Sequence, residues 1–326
     1  MRRREFIAWL CSALWAPAVR SEQSGTPKIG VIMPSRADDA RGQRQLKQFN
    51  VGLARLGWID GRNVSVIVRW SGGEPRVANQ YADELVHLKP ELIVAGSTIG
   101  LEAARSATRK IPIVFVAVSD PVAAGYVDSL ERPGGNITGF SSFDVETGGK
   151  WLEIVKEVVP TASRVGVLMD PDYAGYMTRW HAMAALGRSV GLELSIVPIR
   201  ARRDIEDAVP AFAKEPNGAL VVFSSALTSA NSNLIVDLAA RYRLPTVYPF
   251  AFFVKKGGLI SYGVDTVDLF ERSASYVDRI LRGTKPADLP VQRPIKFELA
   301  VNLKTAKTLG LNLPPSFIAT ADEVIE

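Results

Sequence analysis

Residues 90–140 read PELIVAGSTIGLEAARSATRKIPIVFVAVSDPVAAGYVDSLERPGGNITGF, and this stretch decides the fold. Its two apolar runs, 92–95 and Ile113–Val118, are short and rich in β-branched residues, the pattern of strands buried on both faces. Each run ends in small polar residues followed by a helix start. The first gives Gly96, Ser97 and Thr98 before a helical run from Leu101. The second gives Ser119, Asp120 and Pro121, with Asp120 suited to an N-cap and Pro121 to the first helical position. A strand that ends in hydroxyls at a helix N-terminus turns unpaired amides toward one point. In an open α/β sheet that point lies beyond the carboxyl ends of the strands, where ligands bind. The stretch reads as half of a small-molecule site.

The same alternation extends in both directions. Upstream, 28–33 is a strand leading to Pro34 and Ser35, and Leu46, Phe49, Leu53 and Leu56 mark one helix face that stops at Gly57. Val64, Val66 and Val68 alternate as a strand, and Val77, Tyr81, Leu85 and Leu88 mark the next helix. Downstream, a turn at 133–136 and a short strand at 137–140 close the first unit. Strand–helix alternation then restarts: strands at 164–169, 192–197, 219–223, 245–248 and 259–262 are separated by helical faces such as Trp151, Ile154, Val155, Val158 and Ile205, Val209, Phe212. The predicted fold class is α/β, with two doubly wound parallel-sheet lobes. An amphipathic helix at 266–282 and an extended crossing at 286–294 bring the chain back between the lobes before a last helix at 302–309, which suits a multi-segment hinge. The expected division is 1–25 for an export signal and short linker, 26–141 plus 266–282 for one lobe, and 142–265 plus 283–326 for the other.

The 326 residues suffice for two domains, and 47% hydrophobic with 22% charged residues is a globular composition. The net charge of +5 is spread along the chain rather than gathered in a stripe, which argues against a nucleic-acid partner. At the N-terminus Arg2, Arg3 and Arg4 precede an apolar run over 6–16 and a small-residue cleavage pattern, Ala16-Pro17-Ala18, with Ser21 as a second option. Arg3-Arg4-Glu5-Phe6-Ile7 fits a twin-arginine signal, with an ordinary Sec signal as the alternative. The apolar run is too short to span a bilayer, so no span is expected once the signal is removed. Export removes Cys11, the single cysteine, and leaves His87 and His181 as the only histidines. No dinucleotide fingerprint or P-loop is present, and Gly96-Ser97-Thr98-Ile99-Gly100 has a threonine where a nucleophile elbow needs its serine. No enzyme, metal or cofactor is expected.

Candidate ligand-binding residues on the first lobe are Ser35, Ser97, Thr98, Ser119 and Asp120. From the second come Pro171, Tyr173 and Tyr176, then Ser224 and Ser225, then Tyr248 and Phe250, then Tyr262 and Asp265. Capping is the competing role for Ser97, Thr98 and Asp120, and also for Asp265 before the helix from Thr266. For the tyrosines it is partial burial with a bonded hydroxyl. Hydroxyls at helix N-termini suit a carboxylate, and aromatic side chains near Tyr173, Tyr248 and Phe250 suit a ring or apolar group.

Five segments carry a resemblance along the whole chain: MRRREFIAWL, GLARLGWIDGRNVSVIVRW, IPIVFVAVSDPVAAGYVDSLERPGGNITGFSS, GGLISYGVD and NLKTAKTLGLNLPPSFIATADEVIE. In this order they resemble the ABC-transporter substrate-binding family of rhizobial and related bacteria, whose members have the type I periplasmic-binding-protein fold. The leader departs from the family's usual Ala-Arg-Ala-Gln-like end with Val19-Arg20-Ser21-Glu22. The resemblance implies two α/β lobes, three crossing segments, a ligand cleft, a periplasmic location, and an inner-membrane ABC permease with its ATPase as partners. It names no single ligand, although some relatives take amino acids such as tryptophan. A ligand-sensing module of a signalling or regulatory system is the alternative, since the same fold serves that role.

Overall fold

The computed structural model describes residues 25–142, 145–172 and 174–326, so the leader readings and Tyr173 lie outside the described residues. The first unit runs β1 (Lys28–Met33), α1 (Ala40–Arg55), β2 (Ser65–Trp70), α2 (Pro75–His87), β3 (Leu92–Gly96), α3 (Ser97–Ala107), β4 (Ile113–Val118) and β5 (Ile137–Ser141). The second runs α4 (Val145–Val158), β6 (Arg164–Met169), α5 (Ala174–Ser189), β7 (Glu193–Pro198), α6 (Arg202–Phe212) and β8 (Gly218–Val222). It continues with α7 (Ala226–Ala230), α8 (Ser232–Arg241), β9 (Thr246–Tyr248), α9 (Ala251–Lys255) and β10 (Ile260–Val264). The tail adds α10 (Thr266–Leu281), β11 (Phe297–Asn302), α11 (Leu303–Leu309), α12 (Pro315–Ala319) and β12 (Glu323–Ile325).

Two separate sheets result. One is parallel throughout in the order β2-β1-β3-β4-β5, and the other follows β12-β11-β10-β9-β8-β6-β7 with only β10 and β11 antiparallel. The uninterrupted apolar runs form β3 and β4, which have helices on both faces. On one face Val94, Val114 and Val116 meet Phe49, Phe270 and Ala274, and on the other Ile93, Ala95 and Phe115 meet Ala82, Leu101 and Ala104. The second sheet is enclosed in the same way, by a core around Trp151, Val167 and Phe223 and one around Leu168, Val222 and Ile235.

Three details differ from the expectation. No helix follows Asp120-Pro121. The amides of Tyr126 and Val127 both return to the Pro121 carbonyl, and Gly125, left-handed at φ +68°, ends the segment as a set of turns. The stretch Phe297–Asn302, of which the reading above assigned only Asn302, to the last helix, is β11, whose antiparallel register with β10 pairs Ile260 with Val301 and Val264 with Phe297. Residues 283–292, placed above with the second lobe, lie against the first sheet. Leu289 and Val291 are buried there, Val291 N–H donates to the Leu130 carbonyl (2.7 Å), and Thr138 Oγ1–H donates to that of Leu289 (2.5 Å). These two apolar side chains cover the edge strand β5.

The chain passes between the sheets after β5, between β10 and α10, and between Gln292 and β11. The passages lie side by side: Ser141 N–H donates to the Gln292 carbonyl (2.8 Å) and Asp265 N–H to that of Lys296 (3.0 Å). Parallel links between two rigid sheets are the arrangement of a hinge.

Candidate functional site

On the first lobe the sequence forces an unusual backbone at the ends of β3 and β4. A Cβ on Gly96 would lie 2.8 Å from Pro34 Cδ and 3.0 Å from the Ile32 carbonyl oxygen, so only glycine lets β3 end this close to the loop after β1. Ser97 follows with φ +66°, a left-handed conformation that costs a serine about 1–3 kcal/mol. Gly96 is the N-cap of α3, and no side chain caps that helix. Neither the Ser97 nor the Thr98 hydroxyl has a partner among the described residues, so capping does not explain these two. The first-turn amides of α3 and two free hydroxyls meet at the end of β3, a combination suited to an anion.

β4 ends in a bulge, with register shifted between Val116 and Val118, Ala117 at φ +61° and Asp120 at φ +36°. Ser119 is buried beside the first passage, its Oγ 3.4 Å from Ser142 Oγ. Asp120 holds its own turn by accepting the Ala123 amide (3.1 Å). Ser35 is tucked under α1, where a Cβ on Gly42 would lie 2.0 Å from its Oγ, and that buried oxygen has no partner among the described residues.

The second-lobe candidates divide by role. Tyr176 is buried, its ring edge-on to Phe223 at 5.7 Å, and its hydroxyl donates to the Ser224 carbonyl (2.5 Å). That bond leaves the Ser224 side chain at the end of β8. Ser225 caps α7, accepting the Thr228 amide at 3.0 Å. Tyr248 is a core residue stacked on Phe253 at 4.9 Å, and burial pushes its phenol well above the ordinary range. Phe250, half-buried, lies beyond β9. Pro171 is half-buried after β6, and Tyr262 stacks on Phe297 at 5.6 Å.

Asp265 caps α10 through the amides of Val267 (2.9 Å) and Asp268 (3.1 Å) and pairs with Lys296 at 2.9 Å. Partial burial opposes its ionisation, yet the bond from Lys296 and those two amides hold its carboxyl below the usual range. A depressed folded-state pKa contributes stability that is present above the ordinary value of about 3.9 and lost as pH falls through the folded one. Asp265→Asn should therefore cost about 1 kcal/mol at neutral pH. Urea titrations of both proteins should show the difference shrinking below about pH 4. A difference that stays constant into strong acid would be inconsistent with an ionised cap.

The sequence reading missed Arg41, Gln45 and Thr266. Arg41 Nη2–H and Gln45 Nε2–H both donate to Thr266 Oγ1, at 2.8 and 2.7 Å. Arg41 also lies over the Phe250 ring, 4.6 Å from its centroid. It missed Arg179 as well, which is 4% exposed between the Trp151 and Phe223 rings. Their positions in the chain carry no signal, because each depends on partners far away in sequence.

A groove of about 670 Å³ opens at the ends of β1 and β2 between Arg36, Asp38, Trp70 and Tyr81; of the candidates above, Ser35 borders it, its carbonyl accepting the Gly72 amide (3.1 Å). No group of three or more His, Cys, Asp or Glu among the described residues could hold a metal. No described helix is long and apolar enough to cross a membrane.

Residues 28–325 match the family described as ABC transporter substrate binding protein. A tyrosine-binding protein of Clostridioides difficile (strain R20291) is 28% identical over 265 residues, 81% of this chain and 76% of that protein. Among solved structures, an ABC domain from Streptococcus pneumonia in complex with L-Trp aligns with TM-score 0.83 at 25% identity, covering 92% of this chain and 100% of the other. The ligand-free, open structure of a substrate-binding protein with adhesive properties from Clostridium difficile aligns with TM-score 0.71 at 26% identity, covering 92% and 99%.

Proposed function

The chain belongs to the ABC transporter substrate-binding protein family, and from that premise we propose that it captures an aromatic amino acid between its lobes and presents it to an importer. It is a solute-binding protein rather than an enzyme, and proteins of this family act outside the cytoplasm. In this reading the mature chain works in the periplasm, with an inner-membrane permease and its ATPase as partners. The carrying observation is the end of β3, where strained Ser97, neighbouring Thr98 and the uncapped α3 offer unused donors to a carboxylate. In this reading Ser119 completes that side, Ser224 is the second lobe's contribution, and Phe250 provides a wall for a ring. The tyrosine-binding relative and the L-Trp complex support an amino acid with an aromatic side chain. A ligand that needs both lobes shifts the population toward closure.

A thermal-shift screen over L-tyrosine, L-tryptophan, aromatic acids and small amides is the test. Ligand at 100 times its Kd should stabilise the protein by about 2.7 kcal/mol. Calorimetry on the hit should then show the Ser97→Ala, Thr98→Ala double variant binding about 10–100-fold more weakly, because two donors to a charged group are lost. Unchanged affinity would place the carboxylate elsewhere.

A further inference from the structure

Arg41 sits on the first turn of α1, half-buried, and is fixed to its own lobe through Thr266. Gln45, 7% exposed and one turn further on, donates to the same hydroxyl. From that anchor the guanidinium reaches the second lobe, 4.6 Å from the Phe250 centroid and 5.8 Å from that of Phe252. Burial lowers the proton affinity of Arg41, while Glu298 of β11, Asp265 at the passage and Asp39 at the start of α1 favour its charge, and Arg44 opposes it. Of the five N–H donors of a guanidinium, one is bonded within the described residues. The contact between lobes here is made by the cation over an aromatic ring.

We propose that Arg41 is a positioning residue for capture. Anchored on the first lobe, it lies on Phe250 when the lobes meet, and so sets both the population of the closed state and the placement of the ring that walls the cleft. The inference rests on the capture reading above, but its signature does not need a ligand. On this proposal the cation–π contact is made in the closed state and lost when the hinge opens and α1 moves away from the segment beyond β9. A contact of this kind, partly shielded from water, biases an equilibrium by about 5–30-fold.

Spin labels on Ala37→Cys and Asn233→Cys, one on each lobe, in a full chain carrying Cys11→Ser, report the distance between lobes by pulsed dipolar spectroscopy. In ligand-free protein, Arg41→Gln and Phe250→Leu should each reduce the closed-to-open ratio about 10-fold. The double variant should go no further than either alone, because both remove one contact. Arg41→Lys, which keeps the cation and loses the flat face, should fall between, and it guards against a folding defect in Arg41→Gln. Closed fractions equal to the parent's in Arg41→Gln and Arg41→Lys, or additive effects in the double variant, would overturn the proposal. Addition of L-tryptophan or L-tyrosine separates the two readings. If neither amino acid moves the parent distribution while Arg41→Gln still does, the choice of ligand fails and the role of Arg41 stands.

Discussion

Gly263→Ala is expected to cost about 3 kcal/mol and to remove ligand capture with it. Gly263 lies in β10 opposite Glu298 of β11, and on its other side the chain leaving β9 passes close by. A Cβ at this position would lie 1.9 Å from the Pro249 carbonyl oxygen and 2.9 Å from its carbon. Those are backbone atoms, so no rotamer change relieves the overlap. Either β10 shifts within its sheet, or Pro249 moves and carries Phe250 with it. The first outcome breaks the ladder that leads to the second passage between lobes, and the second lifts the Phe250 ring away from Arg41. Urea unfolding gives the stability loss, and calorimetry with the amino acid found in the screen gives the loss of binding. Gly135→Ala is the control, since a Cβ there meets nothing within 4 Å, and it should be nearly neutral. Equal behaviour of the two variants would mean that the close approach at Gly263 is not a constraint.

The repeated strand–helix alternation was legible because its signal is local. Continuous β-branched runs made β3, β4 and β8 visible, and each lies fully or almost fully buried in the sheet expected of it. The tail was not legible in the same way. FELAVN over Phe297–Asn302 follows prolines and charged residues, and its strand character depends on β10 as an antiparallel partner. Leu56, counted with the apolar face of α1, ends 37% exposed, because the helix stops at Arg55 and the face no longer holds.

The candidate site was legible by position and not by role. Strand ends named the right neighbourhoods, but the sequence pattern is the same for a serine that caps, such as Ser225, and one that leaves its helix uncapped, such as Ser97. Only backbone conformation separates them: Ser97 is left-handed at φ +66°, whereas Ser225 has the extended dihedrals of an N-cap. Tyr248 and Phe250 show the same limit, two residues apart with one ring in the core and the other under Arg41.

Trp151→Ala is expected to lower stability by about 4 kcal/mol. Trp151 is 2% exposed in α4, the first helix after the first passage between lobes, with Phe223 at 5.7 Å and the Arg179 guanidinium over its ring at 5.7 Å. Its Nε1–H donates to the Tyr262 carbonyl at 2.6 Å. Tyr262 lies on β10 just before the second passage, and its ring stacks at 5.6 Å on Phe297, the first residue of β11 after the third. One indole thus connects elements that flank all three passages. Alanine leaves a cavity in the core and takes the donor from Tyr262, so the ends of the passages lose their common support. Trp151→Phe keeps most of the volume and removes the donor, and should cost about 1–2 kcal/mol. The difference between the two variants in urea unfolding measures the packing part. Spin-labelled Trp151→Phe should also show a broader distance distribution between lobes than the parent, since the hinge loses one fixed point. Equal stability losses in the two variants would assign the role to the hydrogen bond alone, and a silent Trp151→Ala would remove the indole from the account of the hinge.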